Sequence, residues 1–327
     1  MAADYTSGSA SSFSDLLTAL EAFLTTVGGW AAQAGPAASG SVLAQRILTK
    51  GDLVYRFAVN TAEPSFYCIG ATGVGGGTTT GDSPYSVKLS SPNLAPIVFP
   101  VTYEIFWNDT PEEVYVVISY GGNKYQHLNF GESAEPDIGG TGAWLTASIR
   151  GDYSIHTDTN YSKVFLQASI NAGDQYIFAT PYSGLALGYF IEGSGYSYMT
   201  SMLHCGLEGT GWKYPSGSTT VSALNQPFNT DLLMSLPSTF NEANVLVPIH
   251  TAVVRTDGLQ TIAVSLRHAR YVRIDNITPG EVITYGGDQW KVFPLYAKNV
   301  VDRNGVSWAT GANHSGTLGV ALRYPGV

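Results

Sequence analysis

Apolar residues between Ser12 and Val27 recur at steps of three and four, the period of one face of an α-helix. Ser12 and Asp15 fit a capping box, and Gly28-Gly29 supplies a stop signal. The pattern predicts one amphipathic helix, buried against the chain's own sheet or against a neighbouring subunit, with Trp30 joining the contact. The predicted stripe consists of Phe13, Leu16, Leu17, Leu20, Phe23, Leu24 and Val27.

From Val42 onward the pattern changes to short apolar or alternating segments, separated by Gly, Pro, Asn and Asp about every ten residues. This spacing predicts a mainly β chain, with one or more antiparallel sandwich or barrel-like domains. Gly70–Gly81 is predicted to be a loop, because neither a phosphate-loop lysine nor a helix follows its glycines. The predicted strands are Val42–Lys50, Leu53–Val59, Ser65–Ile69, Val98–Trp107, Glu113–Tyr120, Tyr125–Phe130, Lys163–Ile170, Gln175–Thr180, Leu185–Ile191, Val245–Val254, Thr261–Leu266 and Ser315–Leu322.

These elements predict a helix and loop over residues 1–41, a β-rich domain over 42–211 and a C-terminal β-rich domain over 212–327. The boundary is placed near Trp212 because Gly193–Gly211 is loop-rich and the residues after Trp212 are polar and contain prolines. The alternative is a single continuous β domain with a long excursion at this point.

The densest group of turn and strand signals lies in Ile277–Asn299. Two short alternating segments flank Gly286-Gly287, which predicts a β-hairpin, and Pro294 is expected to end its second strand. We expect Trp290 to be buried with Phe293 in the core of the C-terminal domain, and Gly286 or Gly287 to have a positive φ. An exposed Trp290 would instead indicate a ligand or partner surface.

The charge and apolar content of the chain limit the kinds of partner it is expected to bind. The 327-residue chain has a net charge of −9 and only 13% charged residues, which argues against sequence-independent nucleic-acid binding and leaves a local basic patch as the alternative. Arg267–Arg273 is the one basic run, and it is interpreted as a strand with alternate charges outward. No apolar run approaches the roughly 20 residues of a membrane span, and the N-terminus does not resemble a secretory signal. We therefore expect a soluble protein made in a cytoplasm, with no membrane span.

No motif predicts catalysis, a metal or a cofactor. The six histidines form no HxH or HExxH spacing, and GxSxG is absent. His204 and Cys205 are adjacent on a predicted strand and would face opposite sides. Cys68 and Cys205 are expected to be buried free thiols, with one long-range disulfide as the alternative. The carboxylates that could serve a glycosidase mostly adjoin turns, and they are Asp109, Glu112, Glu113, Glu132, Glu135 and Asp137. The chain is not predicted to be an enzyme.

Several segments together resemble a group of tailed-bacteriophage virion structural proteins that have an N-terminal helix and a β-rich body. The similarity spans nearly the whole chain, but its motifs are architectural. The segments that carry it are Phe13–Trp30, Tyr125–Gly131 (YQHLNFG), Gly139–Trp144, Ser238–Ile249, Pro279–Phe293, His314–Gly316 and Arg323-Tyr324.

The resemblance implies a virion part of the tail, baseplate or neck, made in the host bacterial cytoplasm. Its expected partners are copies of itself, as a homo-oligomer, and other virion proteins. One alternative is a receptor- or glycan-binding protein at the tail tip, which would use exposed Tyr and Trp on a host surface glycan. Further alternatives are a capsid decoration protein and a virion-associated hydrolase that uses the carboxylates between Asp109 and Asp137.

Overall fold

The computed structural model describes residues 2–91, 96–150, 201–214, 221–225, 244–295, 297–298 and 318–326. Within these ranges the chain forms one α-helix and 21 β-strands, and every strand pair is antiparallel. The predicted mainly β, antiparallel fold with one N-terminal helix is therefore confirmed. The predicted strands Lys163–Ile170, Gln175–Thr180 and Leu185–Ile191 lie outside the described residues.

The elements follow one another in this order along the chain. The first part contains β1 (Ala3–Ala10), α1 (Phe13–Thr26), β2 (Ala31–Ala34), β3 (Val42–Lys50), β4 (Leu53–Asn60), β5 (Ser65–Ala71), β6 (Gly73–Gly75), β7 (Thr78–Thr80), β8 (Val87–Ser90), β9 (Val101–Asp109), β10 (Glu112–Tyr120), β11 (Lys124–Glu132), β12 (Ala143–Ala147) and β13 (Ile149–Arg150). The second part contains β14 (Ser201–Cys205), β15 (Gly211–Lys213), β16 (Leu224–Asn225), β17 (Val247–Val254), β18 (Gln260–Arg273), β19 (Val282–Tyr285), β20 (Asp288–Pro294) and β21 (Leu318–Tyr324).

The strands form three main sheets and the small β6–β7 hairpin. The N-terminal sheet has the order β13-β8-β5-β4-β3-β2, and the central sheet has the order β1-β9-β10-β11-β12-β14-β15. The C-terminal sheet has the order β16-β17-β18-β21-β20-β19. The chain passes from the central to the C-terminal sheet between β15 and β16, and residues of all three sheets belong to one large hydrophobic cluster.

The central sheet lies between the other two. One face packs on the N-terminal sheet, where Tyr55 and Phe57 contact Phe130 with ring centroids 4.8 and 5.2 Å apart. The other face packs on the C-terminal sheet, where Phe106 contacts Phe293 at 6.0 Å. Because both faces are covered, β10 is buried along nearly its whole length, and its sequence EEVYVVISY shows no simple alternation of apolar and polar residues.

Helix α1 closes one end of the space between the N-terminal and central sheets. Its N-cap Ser12 accepts a hydrogen bond from the Asp15 backbone N–H at 3.1 Å, as the capping prediction requires. Trp30 is buried and joins the core, as predicted, while Phe23 and Val27 lie at its partly buried margin. Phe13, Leu16, Leu17, Leu20 and Leu24 are buried. The stripe therefore packs into the chain's own core, one of the two expected destinations.

The hairpin predicted in Ile277–Asn299 is also confirmed. β19 and β20 pair through Tyr285 and Asp288, with Gly286-Gly287 as the two-residue loop, and β20 ends at Pro294. Both glycines have positive φ, 61° and 89°, which suits the mirror-image turns of tight hairpins. Trp290 is only 5% exposed, and Phe293 is buried beneath the central sheet.

Three expectations need correction. The predicted loop Gly70–Gly81 contains the β6–β7 hairpin, which lies against the outer face of the N-terminal sheet through the hydrogen bond from Arg56 Nε to Thr79 Oγ1, 3.0 Å long. The loop-rich Gly193–Gly211 contains the buried strand β14. The polar N-terminus, for which no strand was predicted, forms β1. Its side chains carry no strand pattern, and the strand forms because its backbone pairs along all of β9.

Candidate functional site: the polar seam between the central and C-terminal sheets

The two faces of the central sheet differ in chemistry. The face toward the N-terminal sheet is mostly apolar, with Val114, Val116, Leu128 and Phe130 buried. The face toward the C-terminal sheet carries a set of buried polar residues that we call the polar seam. The seam consists of Asn108, Glu113, Tyr115, His127 and Asn129 on the central sheet and His268 on the C-terminal sheet. A buried polar layer between two sheets is costly unless it is well bonded, so it marks the part of the molecule most sensitive to substitution.

Glu113 is the centre of the seam. Its carboxylate accepts hydrogen bonds from the Tyr115 hydroxyl at 2.6 Å and from the backbone N–H groups of Arg267 and His268 at 2.8 and 2.9 Å. The two backbone donors lie on β18, whereas the carboxylate lies on β10. One side chain of the central sheet is thus hydrogen-bonded to the backbone of the C-terminal sheet.

The strand β18 explains why those backbone donors need a carboxylate. Its pairing with β17 is interrupted, because Pro248 pairs with Arg270 while the next residue, Ile249, pairs with Leu266. Residues 267–269 therefore bulge out of the β17 ladder. Buried backbone N–H groups are almost always satisfied in folded proteins. Glu113 supplies at the bulge the acceptors that β17 does not.

Burial of this carboxylate changes its acidity. Removal from water is the largest effect, and it raises the pKa of Glu113 from 4.5 to about 7, against the three hydrogen bonds and the nearby Arg270, which lower it. Burial likewise raises the pKa of Tyr115 well above its usual value, and the neighbouring Glu113 adds to this. A carboxyl group with a pKa near neutrality is common at functional sites and also occurs in structural networks.

Two histidines fasten the same pair of sheets. His127 Nε2 lies 3.0 Å from the Pro294 carbonyl oxygen, and His268 Nε2 lies 3.2 Å from the Thr110 carbonyl oxygen. A carbonyl oxygen only accepts, so in both rings Nε2 carries the proton and donates. Burial lowers the pKa of each histidine from 6.5 to about 4, and both rings are neutral at pH 7.

Glu112, the neighbour of Glu113, points to the opposite face and makes a separate buried junction. Its Oε1 accepts from the indole N–H of Trp30 at 2.7 Å and of Trp107 at 2.5 Å. Its Oε2 pairs with Lys50 Nζ at 2.5 Å. The junction joins the residue after α1, the N-terminal sheet and the central sheet. Since Glu112 and Glu113 lie on opposite faces of β10, they do not form the paired carboxylates that a glycosidase needs.

The other carboxylates from the sequence analysis are divided between two places. Asp109 lies at the exposed turn between β9 and β10, where hydrogen bonds from the Ala2 backbone and Thr110 lower its pKa. Glu132, Glu135 and Asp137 line a shallow open cleft with the glycine-rich segment that follows them. Burial, followed by the charge of Glu112, raises the pKa of Glu132.

One wall of that cleft is held by His204. The backbone N–H of Thr141 donates to His204 Nδ1 at 3.1 Å, and the imidazole lies 5.3 Å from the Trp212 ring. The indole N–H of Trp212 in turn donates to the Gly81 carbonyl at 3.0 Å. A loop with three carboxylates, a histidine and a partly exposed tryptophan therefore meet at one end of the central sheet.

The cysteines are buried and the basic run is a strand, as the sequence predicted, but only the first of its arginines points fully outward. Cys68 and Cys205 are buried free thiols, as expected, and burial raises the pKa of both. Arg267–Arg273 lies in β18, with Arg267 exposed and Arg270 partly buried over the Trp290 ring at 5.3 Å. In the described parts of the chain, no three His, Cys, Asp or Glu residues come together as metal ligands would.

The polar seam was missed by sequence reasoning. The available signal was the Glu112-Glu113 pair inside a strand that is otherwise β-branched and aromatic. A charge in such a strand needs a buried partner, but the partner lies 154 residues away and has no sequence signature.

No protein-family model matches the chain, and a search of curated proteins gave no significant match. Over the described residues, no helix has the length and apolar character needed to cross a membrane.

Proposed function

We propose that the chain is a non-enzymatic structural subunit of a bacteriophage virion, in the tail, baseplate or neck. It would act by docking to copies of itself and to neighbouring virion proteins. The observation that carries the proposal is the presence of two exposed, unprotected sheet edges. The resemblance of the sequence to phage virion structural proteins supplies the setting.

The two edges are β2 in the N-terminal sheet and β19 in the C-terminal sheet. All four residues of β2 are exposed, and β19 exposes Val282 (39%) and Tyr285 (54%). Neither strand contains a charged residue or a proline. An edge strand presents unpaired N–H and C=O groups, and monomeric proteins usually protect such edges with charge or proline. Unprotected edges are suited to pairing with a strand of another chain.

A particle-level experiment tests the assignment. Mass spectrometry of purified virions should detect the chain, and cryo-electron microscopy should place it around the tail axis in a fixed copy number. Absence of the chain from the particles would reject the proposal. Density on the capsid surface would instead identify a decoration protein.

A substitution tests the role of the edge. Val282→Lys places a charge on β19 and should block strand pairing, so that the protein no longer incorporates into particles or associates in sedimentation experiments. Leu259→Lys is the matched control, because Leu259 is 65% exposed at the β17–β18 turn. Equal association of wild type and both variants would remove β19 from the assembly mechanism.

Glycan binding is the second candidate, and the cleft around Glu135 and Asp137 favours it. The carboxylates that line the cleft can recognise sugar hydroxyls, and Trp212, which contacts the cleft through His204, offers a partly exposed ring that can stack on a sugar face. The burial of Trp290 removes the other surface that would have supported this function. Binding of the isolated protein on a glycan array, lost in Trp212→Ala, would favour it, and indifference to all glycans would reject it.

A further inference from the structure

We propose that the polar seam is an acid-sensitive joint. Acidification charges the imidazole of His268, and the C-terminal sheet then separates from the central sheet while the central and N-terminal sheets stay packed. This inference concerns the fold itself and does not depend on the proposed function.

The geometry at His268 leaves no place for a second proton. The ring is fully buried, and its Nε2 already donates to the Thr110 carbonyl. Its Nδ1 is buried without a hydrogen-bond acceptor. A proton added there would create a charged donor in the interior with nothing to receive it, which is expensive. Separation of the two sheets would expose that nitrogen to water.

The charges around this ring also disfavour the imidazolium. Arg270 on the same strand and Arg323 on β21 lower the pKa of His268, while Asp109 on β9 and the Thr110 carbonyl raise it to a smaller extent than burial lowers it. Arg267 precedes the ring on β18 and is exposed. The facing groups of β10 are Glu113 and Tyr115, which hydrogen-bond to each other and, through the carboxylate, to the His268 backbone.

Glu113 is the one carboxylate that could balance the new charge inside the seam, and it becomes neutral first. Its pKa of about 7 means that it is mostly protonated below pH 6, before the imidazole gains its proton. At pH 5 the seam therefore contains a neutral carboxyl group, which cannot act as a counter-ion, and the permanent charge of Arg270, which opposes protonation of the imidazole. The remaining carboxylate that favours the charged ring is Asp109, which lies outside the seam at the β9–β10 turn and acts less strongly than burial.

His127 is a second buried histidine at this contact, and burial lowers its pKa to about 4 as well. Its buried ring donates to the Pro294 carbonyl on β20 and so also bridges the central and C-terminal sheets. By contrast, the contact between the central and N-terminal sheets combines aromatic packing, such as Tyr55 against Phe130, with the Glu112 junction to a lysine and two indoles, and neither contains a histidine. Acid thus acts on one face of the central sheet and leaves the packing on the other face intact.

The histidines and Glu113 change the stability of the contact between the two sheets in opposite directions as the pH falls. A histidine whose pKa falls on folding stabilises the closed joint above pH 6.5 and loses that contribution as the pH falls through about 4. The carboxyl group whose pKa rises does the opposite, and its contribution is lost as the pH rises through about 7. Between pH 7 and 4, each histidine favours opening by about 100-fold, and Glu113 opposes it by a similar factor. Two histidines against one carboxyl group leave a net increase of about 100-fold.

Hydrogen–deuterium exchange tests the proposal, with each rate divided by the intrinsic rate at the same pH. Between pH 7 and 4, protection of β18, β20 and β21 should fall by about 100-fold, while protection of β4 and β5 should be retained. His268→Gln can keep the bond to Thr110 and should make protection of the C-terminal sheet nearly independent of pH. Glu113→Gln should steepen the acid loss to about 10,000-fold.

His204→Gln is the matched control, because His204 is a largely buried histidine on the opposite face of the central sheet. It should leave the acid opening of the C-terminal sheet unchanged. A histidine NMR titration of the wild-type protein gives a readout that needs no variant, and the His268 ring should remain neutral at pH 5.5. Titration of His268 near pH 6.5, or equal loss of protection in all three sheets, would overturn the proposal.

Discussion

Replacement of Glu113 by glutamine provides the sharpest test of how the sheets are joined. The amide has nearly the same shape but only one oxygen, so it can accept from one of the two β18 N–H groups that the carboxylate binds through separate oxygens, and it cannot ionise. The wild-type carboxyl group prefers its protonated form in the folded state, since burial raises its pKa from 4.5 to about 7. The native state therefore binds more protons than the unfolded state between these two values, and stability falls as the pH rises.

The magnitude follows from linkage. Between pH 5 and pH 8 the wild-type protein should lose about 2.5 kcal/mol of unfolding free energy relative to Glu113→Gln. All other titrating groups are common to both proteins, so their contributions cancel in the difference. Urea denaturation at several pH values, followed by tryptophan fluorescence, measures both curves.

Parallel stability curves for wild type and Glu113→Gln would contradict this prediction. A constant offset would mean that Glu113 remains ionised in the fold and is stabilised fully by its three hydrogen bonds. Glu113→Ala provides a second reference, because it leaves two buried backbone donors without acceptors and should cost about 3–5 kcal/mol near pH 5, and less as the pH rises and the wild-type protein loses stability.

Other substitutions probe the remaining junctions. Glu112→Ala should cost about 3 kcal/mol or more in urea denaturation, because it strips two buried indole N–H groups and a lysine of their acceptor. Gly140→Ala should destabilise more than Gly286→Ala in the same assay: both have positive φ, but only at Gly140 would a Cβ lie 2.7 Å from backbone. Cys68 and Cys205 should react with a thiol reagent only after denaturant is added, and rapid labelling of the native protein would contradict their burial.

Local signals accounted for much of the fold. The helix was predicted because its cap, apolar period and glycine stop all lie within the segment that folds. The β19–β20 hairpin was predicted for the same reason, since its turn glycines and Pro294 act over a few residues. The β6–β7 hairpin is the exception, because its pairing is local and yet the sequence predicted a loop over Gly70–Gly81.

Elements that depend on distant partners were harder to predict. β1 has polar, glycine- and serine-rich residues and becomes a strand through pairing with β9, about a hundred positions later. The polar seam depends on a bulge in β18, where three residues, 267–269, have no pairing partner on β17. No periodicity in the sequence records a bulge or the side chain that fills it, so Glu113 was read as one of several turn carboxylates.

The position of the central sheet between two others has a consequence for synthesis. Its strands are complete once the ribosome has passed β15, but the cover of its second face begins only with β16 and β17. Glu113 must wait for residues 154 positions later before its carboxylate meets the β18 backbone. During that interval a nascent chain presents a broad, half-polar sheet surface, which is the kind of intermediate that chaperones hold. Chains truncated before β17 should therefore aggregate rather than fold, even though two of the three sheets are already encoded.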